Sequence, residues 1–247
     1  MPKDNGKIQL AWELALWLTQ LPLRPTSLKL LVSMLHQQEL RDGWHEADEQ
    51  VTACWATFSA LRARVGPKSA NDGRAFRRLR EELLEARVVE HCAVVRHERA
   101  HALQWVVAPA IAAQMSCRVT RAYVLLDLDE LGEMKTREEI ALYICLRREW
   151  AKNAPQIDIP LLAETWRADL RRYNRALPRL AALLGARLHV TLCYRTDAPV
   201  PDRLNVKVEH PGTRWFDGAL EKAPPDARRW VVGSLSDGDS PDMAQPE

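Results

Sequence analysis

The feature that most limits what this chain can fold into is a near-repetition about 100 residues apart. Residues 83–87 read LLEAR and residues 183–187 read LLGAR. Leu83, Leu84, Ala86 and Arg87 thus find identical residues at Leu183, Leu184, Ala186 and Arg187. In both places an arginine-bearing amphipathic segment runs straight into a short apolar run, at 88–95 and at 186–194. Upstream, Arg74-Ala75 answers Arg175-Ala176, so the match needs one gap. A period of this size is a duplicated domain, whereas solenoid units repeat every ~20–50 residues. The 247 residues have room for two such domains.

The order of elements narrows the fold further. Residues 7–20 place apolar side chains at helical spacing, and Pro22 and Pro25 follow. Residues 26–42 start at Thr26, a good N-cap, and end at Gly43. The spacing predicts a third helix over 53–65, stopped by Gly66-Pro67, then a tight turn over 66–73 and a fourth helix over 74–86. Two β-rich runs, 88–95 and 102–107, flank the polar turn RHERAH. Helix, helix, turn, helix, hairpin is the order of a winged-helix domain, in which the helix after the turn lies in the DNA major groove. The second half repeats the plan. It predicts strands at 123–128 and 156–160 and a helix over 136–152. A helix over 160–168 would open on Pro160, and another would span 169–184. Strands at 186–194 and 204–209 follow. The polar, acidic tail 233–247 is expected to lack order.

Charge placement points to a polyanion. In the first candidate helix Phe76, Leu79 and Leu83 form an apolar stripe, and Arg74, Arg77 and Arg78 point away from it. Glu81, Glu82 and Glu85 come later, a polarity that opposes the helix dipole at about 0.3–1 kcal/mol per exposed charge. Cations early in such a helix suit phosphates and guanines. In the second, Arg171, Arg175 and Arg179 stack one turn apart with Arg172 beside them, opposite Tyr173, Leu177, Leu180 and Leu184. Five arginines and a single acid, Asp169, lie between Arg167 and Arg179. Like charges four residues apart repel, and a nucleic-acid backbone compensates them. Pro178 removes one backbone donor and predicts a kink. Lys68, Ser69 and Asn71 in the first turn, Arg96, His97, Arg99 and His101 in the first hairpin, Asn174 in the second helix, and Arg195 beside the second hairpin turn complete the candidate DNA contacts.

Other chemistries fit poorly. Net charge is only +2, from 35 Lys and Arg against 33 acids, so the nucleic-acid signal is local clustering. Five scattered cysteines form no Cys-x-x-Cys pair, which reads as reduced thiols in a cytoplasmic protein. No apolar run is long enough to span a bilayer, and no secretory leader opens the chain. Val65-Gly-Pro-Lys-Ser69 lacks the glycines of a phosphate-binding loop. His97 with His101 lacks a third metal ligand, and Asp127, Asp129 and Glu130 read as a helix start, with Asp129 capping, rather than a cation site. No Gly-x-Ser-x-Gly appears. A binding protein without catalysis, cofactor or metal is expected.

The segments LDLDELGEMKTREEIALYICLRREW, QIDIPLLAETW and RYNRALPRLAALLGARLHVTL resemble the C-terminal half of plasmid replication initiators, chiefly the IncQ-type RepC proteins, within the wider class of tandem winged-helix Rep proteins that includes TrfA. The carrying motifs are an LY-x-x-L-R-like helix core, an I-x-I-P-x-L entry, and Arg175-Ala-Leu-Pro-x-Leu180 leading into a strand. The likeness spans roughly residues 50–208. It implies an α+β, mainly α chain with winged-helix domains at 7–116 and 119–210 and a partly disordered extension at 211–247. It also implies double-stranded DNA binding at the direct repeats (iterons) of a plasmid origin, recruitment of a helicase, and homodimerisation in some members. The alternatives are a transcriptional repressor of the copy-control type, or a tandem winged-helix protein–protein module.

Overall fold

In the computed structural model, which describes residues 6–41, 53–65, 73–116, 122–195, 198–224 and 227–235, the chain opens with a strand where the apolar spacing predicts a helix. Strand β1 (Lys7–Ala11) alternates, with Ile8 and Leu10 fully buried and Lys7 and Gln9 less so. That is the period of two of a half-buried strand. Its partner is β5 (Tyr123–Asp127), antiparallel, with Lys7 opposite Asp127 and Ala11 opposite Tyr123. Helix α1 (Trp12–Gln20) follows without a loop.

The chain divides after Ile144, within helix α7 (Arg137–Glu149). Tyr123–Asp127, which the sequence groups with the second half, therefore belongs to the first unit. Helix α2 (Pro25–Arg41) is the spine of that unit, with Leu28, Leu30, Leu31, Val32, Met34 and Leu35 all buried. Each such side chain is worth roughly 1.5–3 kcal/mol of transfer free energy. A strand and a helix, β2 (Cys54–Thr57) and α3 (Phe58–Val65), replace the single helix expected over 53–65. Helix α4 (Gly73–Glu85) and the hairpin β3 (Val89–His97) and β4 (Ala100–Val107) stand where the sequence predicts them. The three strands form one antiparallel sheet in the order β2-β4-β3. Helices α5 (Pro109–Ser116) and α6 (Leu128–Glu133) and the first part of α7 complete the unit. Asp127, not Asp129, caps α6, accepting hydrogen bonds from the Asp129 and Glu130 amides.

Two polar joints, one buried and one part-buried, lock this unit. The Lys29 ammonium donates to the carbonyls of Gly132 (2.8 Å) and Met134 (2.9 Å), satisfying groups left open at the end of α6. Burial lowers its pKa, and the nearby Glu133 and Glu139 carboxylates oppose that. Glu82 of α4 takes hydrogen bonds from Arg24 and Ser27. Burial pushes its carboxyl up, but those bonds and the charges of Arg24 and Arg78 outweigh it and hold the pKa below the ordinary value. One of the late glutamates of α4 is thus a joint to Arg24 and the start of α2.

The second unit is built on one four-stranded antiparallel sheet, order β6-β8-β7-β9. Its strands are β6 (Gln156–Pro160), β7 (Arg187–Tyr194), β8 (Pro201–Glu209) and β9 (Arg228–Val232). A single helix, α8 (Trp166–Leu184), stands where two were expected. Pro160 ends β6 instead of opening a helix, and Thr165 precedes the first turn of α8. Strand β9 lies inside the stretch expected to be a loose extension, and pairs with β7 from Leu188–Val232 to Leu192–Arg228. The segment before it is tied to the sheet. Lys207 Nζ donates to the carbonyls of Ala219 (2.6 Å) and Lys222 (2.9 Å), and Trp215 Nε1 donates to Val208 (2.8 Å). The His210 ring stacks on Trp150 at 4.3 Å, and its Nδ1 accepts from the Gly212 amide. Burial lowers its pKa, against the hydrogen bond to the Trp150 carbonyl. Nine strands stand beside eight helices among the described residues, with more residues in helices than in strands, so the class is mixed α/β.

The two units share a topology. In each, a strand precedes the cationic helix, a hairpin follows it, and the leading strand pairs with the second hairpin strand, giving β2-β4-β3 and β6-β8-β7. Each cationic helix ends in the same hydrogen-bond pattern. The Val88 amide reaches the Leu83 carbonyl and Arg87 reaches Leu84; in α8, Ala186 reaches Ala181 and Gly185 reaches Ala182. Both are Schellman caps, with a left-handed residue just past the helix. That residue is Arg87 (φ 55°) in the first unit and Gly185 (φ 59°) in the second. The matching letters therefore close both helices but sit two positions out of structural register. Arg87 is exposed and strained, since a side chain in this conformation costs about 1 kcal/mol more than glycine. Arg87→Gly is expected to raise unfolding free energy by roughly 0.5–1 kcal/mol in urea melts. A destabilised variant would show that the Arg87 side chain makes a contact worth more than the strain.

Candidate nucleic-acid interface

Helix α8 carries five arginines and a single acid, Asp169. Ala176, Leu177, Leu180 and Ala181 are buried against the sheet, whose Leu188, Val190, Leu192, Leu204, Val206 and Val208 are buried too. The opposite side of the helix presents Arg167, Arg171, Arg172, Arg175 and Arg179, all exposed. The helical period of 3.6 forces this split, because the arginines follow the apolar stripe half a turn away. The helix continues through exposed Pro178, which has no N–H to give the Asn174 carbonyl.

Arg167, Arg171 and Arg175 form no ion pair with a carboxylate among the described residues. Among the described residues, Arg175 makes no hydrogen bond or ion pair, and Arg171 donates only to the Arg167 carbonyl, at 3.3 Å. Arg167 lies over the Trp166 ring, 5.3 Å from its centre. Arg172 differs from the expectation: it pairs with Asp169 at 3.2 Å, one turn back. Arg195 likewise pairs with Asp202 at 3.2 Å beside the turn of the second hairpin. Such exposed pairs are worth ~0–1 kcal/mol, so both guanidinium groups remain exchangeable. Asn174 is exposed beside the arginines.

The first unit holds a smaller version. On α4, Phe76, Leu79 and Leu83 are buried, while Arg77 and Arg78 are exposed. Arg78 faces the Glu82 carboxylate; Arg77 has no described partner. Arg74 lies in the first turn of α4, with its backbone alone described. Lys68, Ser69 and Asn71 lie outside the described residues. Arg96 and Arg99 stand exposed at the hairpin tip, Arg99 in the turn itself. His97 and His101 instead serve as ring anchors. His97 stacks on Trp55 at 3.7 Å, under the Arg41 guanidinium, and His101 approaches Phe58, which stacks on Phe76. These contacts hold the hairpin to the unit and leave its arginines outward.

The sequence reading missed Arg228, Arg229 and Trp230. They lie in β9, at the edge of the sheet beside β7. A usable signal was present, since RRWVV is a β-prone run set between polar, proline-bearing stretches. No described helix is long and apolar enough to cross a membrane. Among the described residues no cluster of three His, Cys, Asp or Glu side chains could hold a metal ion. Burial pushes the Cys92 thiol up to about 12, despite the Arg80 charge, which makes it a poor nucleophile.

No protein-family model matches the chain, and no curated protein does. Among solved structures it is similar to a Pi initiator protein, seen in a crystal structure in complex with iteron DNA. The two share 13% sequence identity and superpose with a TM-score of 0.55, over 84% of this chain and 98% of that one. At this identity the likeness is one of fold alone: the chain shares the fold of that initiator protein.

Proposed function

We propose that this chain binds double-stranded DNA sequence-specifically, at direct repeats of a plasmid replication origin, and initiates replication there. Each unit supplies one winged-helix module, with α4 and α8 as recognition helices and the β3–β4 and β7–β8 hairpins as wings. The observation that carries the reading is the exposed arginine ridge of α8, spaced one turn apart, in which Arg171 and Arg175 form no ion pair with a described carboxylate. Arginine reads guanine bidentately in the major groove and grips phosphates beside it. The initiator-like fold and the repeat-DNA partner of that structural neighbour favour origin binding over other uses of the surface. The action is binding, without catalysis.

The second reading, a copy-control repressor, uses the same surface on a different arrangement of sites. Selection of bound sequences from random duplexes separates them. Initiation requires a site of about 20 base pairs, two modules reading faces one helical turn apart. That site should recur as direct repeats beside an AT-rich stretch in the DNA that carries the coding sequence. A single palindrome at a promoter favours repression instead. Failure to enrich any duplex sequence removes both.

A further inference from the structure

We propose that β9 extends the DNA-contacting surface of α8, with Arg228 holding a backbone phosphate of the bound duplex. This rests on the duplex-binding reading above and adds a wall to it that the helix-and-hairpin plan lacks.

The pairing register fixes which way β9 faces. Val190 is opposite Trp230 and Leu188 opposite Val232, so Arg228, Trp230 and Val232 share the face of the sheet that packs against α8. Arg229 alternates with them along the strand, and its guanidinium donates to the Glu221 carbonyl at 2.5 Å. Between α8 and β9 runs a groove of about 580 Å³, lined by Leu170, Asn174, Arg228, Arg229, Trp230 and Val232. On an ideal helix Asn174 lies about 20° from Arg167 and about 60° from Arg171 around the axis. The groove therefore adjoins the arginine ridge, and Arg228 continues that ridge onto the sheet.

The composition of the groove suits a sugar-phosphate strand. Leu170, Trp230 and Val232 give an apolar floor against which a deoxyribose edge packs. Arg228 is exposed, makes no described hydrogen bond or ion pair, and presents a planar fork that matches phosphate oxygens. No described carboxylate pairs with Arg228, so its guanidinium is available to a phosphate. A helix in the major groove has a phosphate strand along each flank, and β9 lies on one flank of α8. The same chemistry would also take the phosphate of a free nucleotide, so the experiment separates the two sources.

Full-length protein and its Arg228→Ala variant are compared on the selected duplex by salt titration and hydroxyl-radical footprinting, with thermal melts to confirm equal folding. The variant should bind about 3–10-fold more weakly at moderate salt. Its slope of log affinity against log salt should fall by about 0.9, the loss of one phosphate contact. Protection should vanish at one backbone position at the edge of the site, with the preferred sequence unchanged. An unaltered slope and footprint, in a variant that still binds, overturns the assignment of β9 alone. Absence of salt-dependent duplex binding by the wild-type chain overturns the duplex reading and this one with it. Arg228-dependent binding of adenosine monophosphate with an intact footprint overturns the duplex as the source of the phosphate.

Discussion

Replacing Arg171 and Arg175 together by alanine is expected to weaken duplex binding about 10²–10⁴-fold while leaving the fold unchanged. The size follows from what each side chain does in a groove. A well-made arginine contact to a base or phosphate is worth about 1–3 kcal/mol, and each 1.4 kcal/mol is tenfold. The two positions are one helical turn apart and outside the buried stripe of Ala176, Leu177, Leu180 and Ala181. Neither makes an ion pair with a described carboxylate, so alanine strands no buried partner. Alanine is also the best helix former, and the change removes a like-charge pair four residues apart, so stability should hold within about 0.5 kcal/mol. Gel shifts on the selected duplex and urea melts on the same preparations check both halves. Binding within a few-fold of wild type would remove α8 as a recognition helix. A collapse in stability would show that the arginines are structural.

The parts of this interface that the sequence displays are those set by local chemistry. The apolar stripe of α8, its outward arginines and the turn at Glu98 and Arg99 depend on residues within a few positions of one another, and periodicity reveals them. The elements it hid are made by partners far away in the chain. KIQLA and CWAT are strands only because β5 and β4 lie alongside to accept them. Each runs directly into a helix, so a window of helical spacing absorbs it. RRWVV is a strand because β7 offers an edge, and the proline-bearing approach disguised it as tail. Pro160 misled in a different way. Proline suits both the first turn of a helix and the last residue of a strand, and only the pairing of Pro160 with Arg203 decides between them. The same applies to charge. Arg172 and Arg195 read as free cations until Asp169 and Asp202 are placed beside them, one by the helical turn and one by the hairpin.

The LLEAR and LLGAR match holds a related lesson. Both halves build a cationic helix, a hairpin and a leading strand on the same pairing plan. Yet Leu83 is fully buried while Leu183 is only partly so, because the left-handed cap falls at Arg87 in one unit and at Gly185 in the other. Cap geometry answers to the first residue that tolerates positive φ, and glycine at 185 takes that role two positions early. Identical letters therefore mark equivalent elements without marking equivalent positions.

The second large effect is on salt. Duplex affinity should fall about 10³–10⁵-fold between 50 and 200 mM monovalent salt, as expected when 6–10 phosphates are contacted. The overall charge sharpens this test. With 35 basic and 33 acidic residues the chain as a whole is nearly neutral, so long-range attraction between a cationic protein and DNA contributes little. A steep slope must then come from counter-ions displaced at the contact itself, by Arg167, Arg171, Arg175, Arg179 and their counterparts on α4 and the first hairpin. The Arg171→Ala/Arg175→Ala variant should lower the slope by up to about two, because each lost phosphate contact returns ~0.9. If one of the two arginines reads a base instead, the slope should fall by only about one while the preferred sequence relaxes at one position. A nearly flat salt dependence in the wild-type chain would mean that the ridge does not face a phosphate backbone, and a protein partner with an acidic surface would then be the better account of five arginines on one helix.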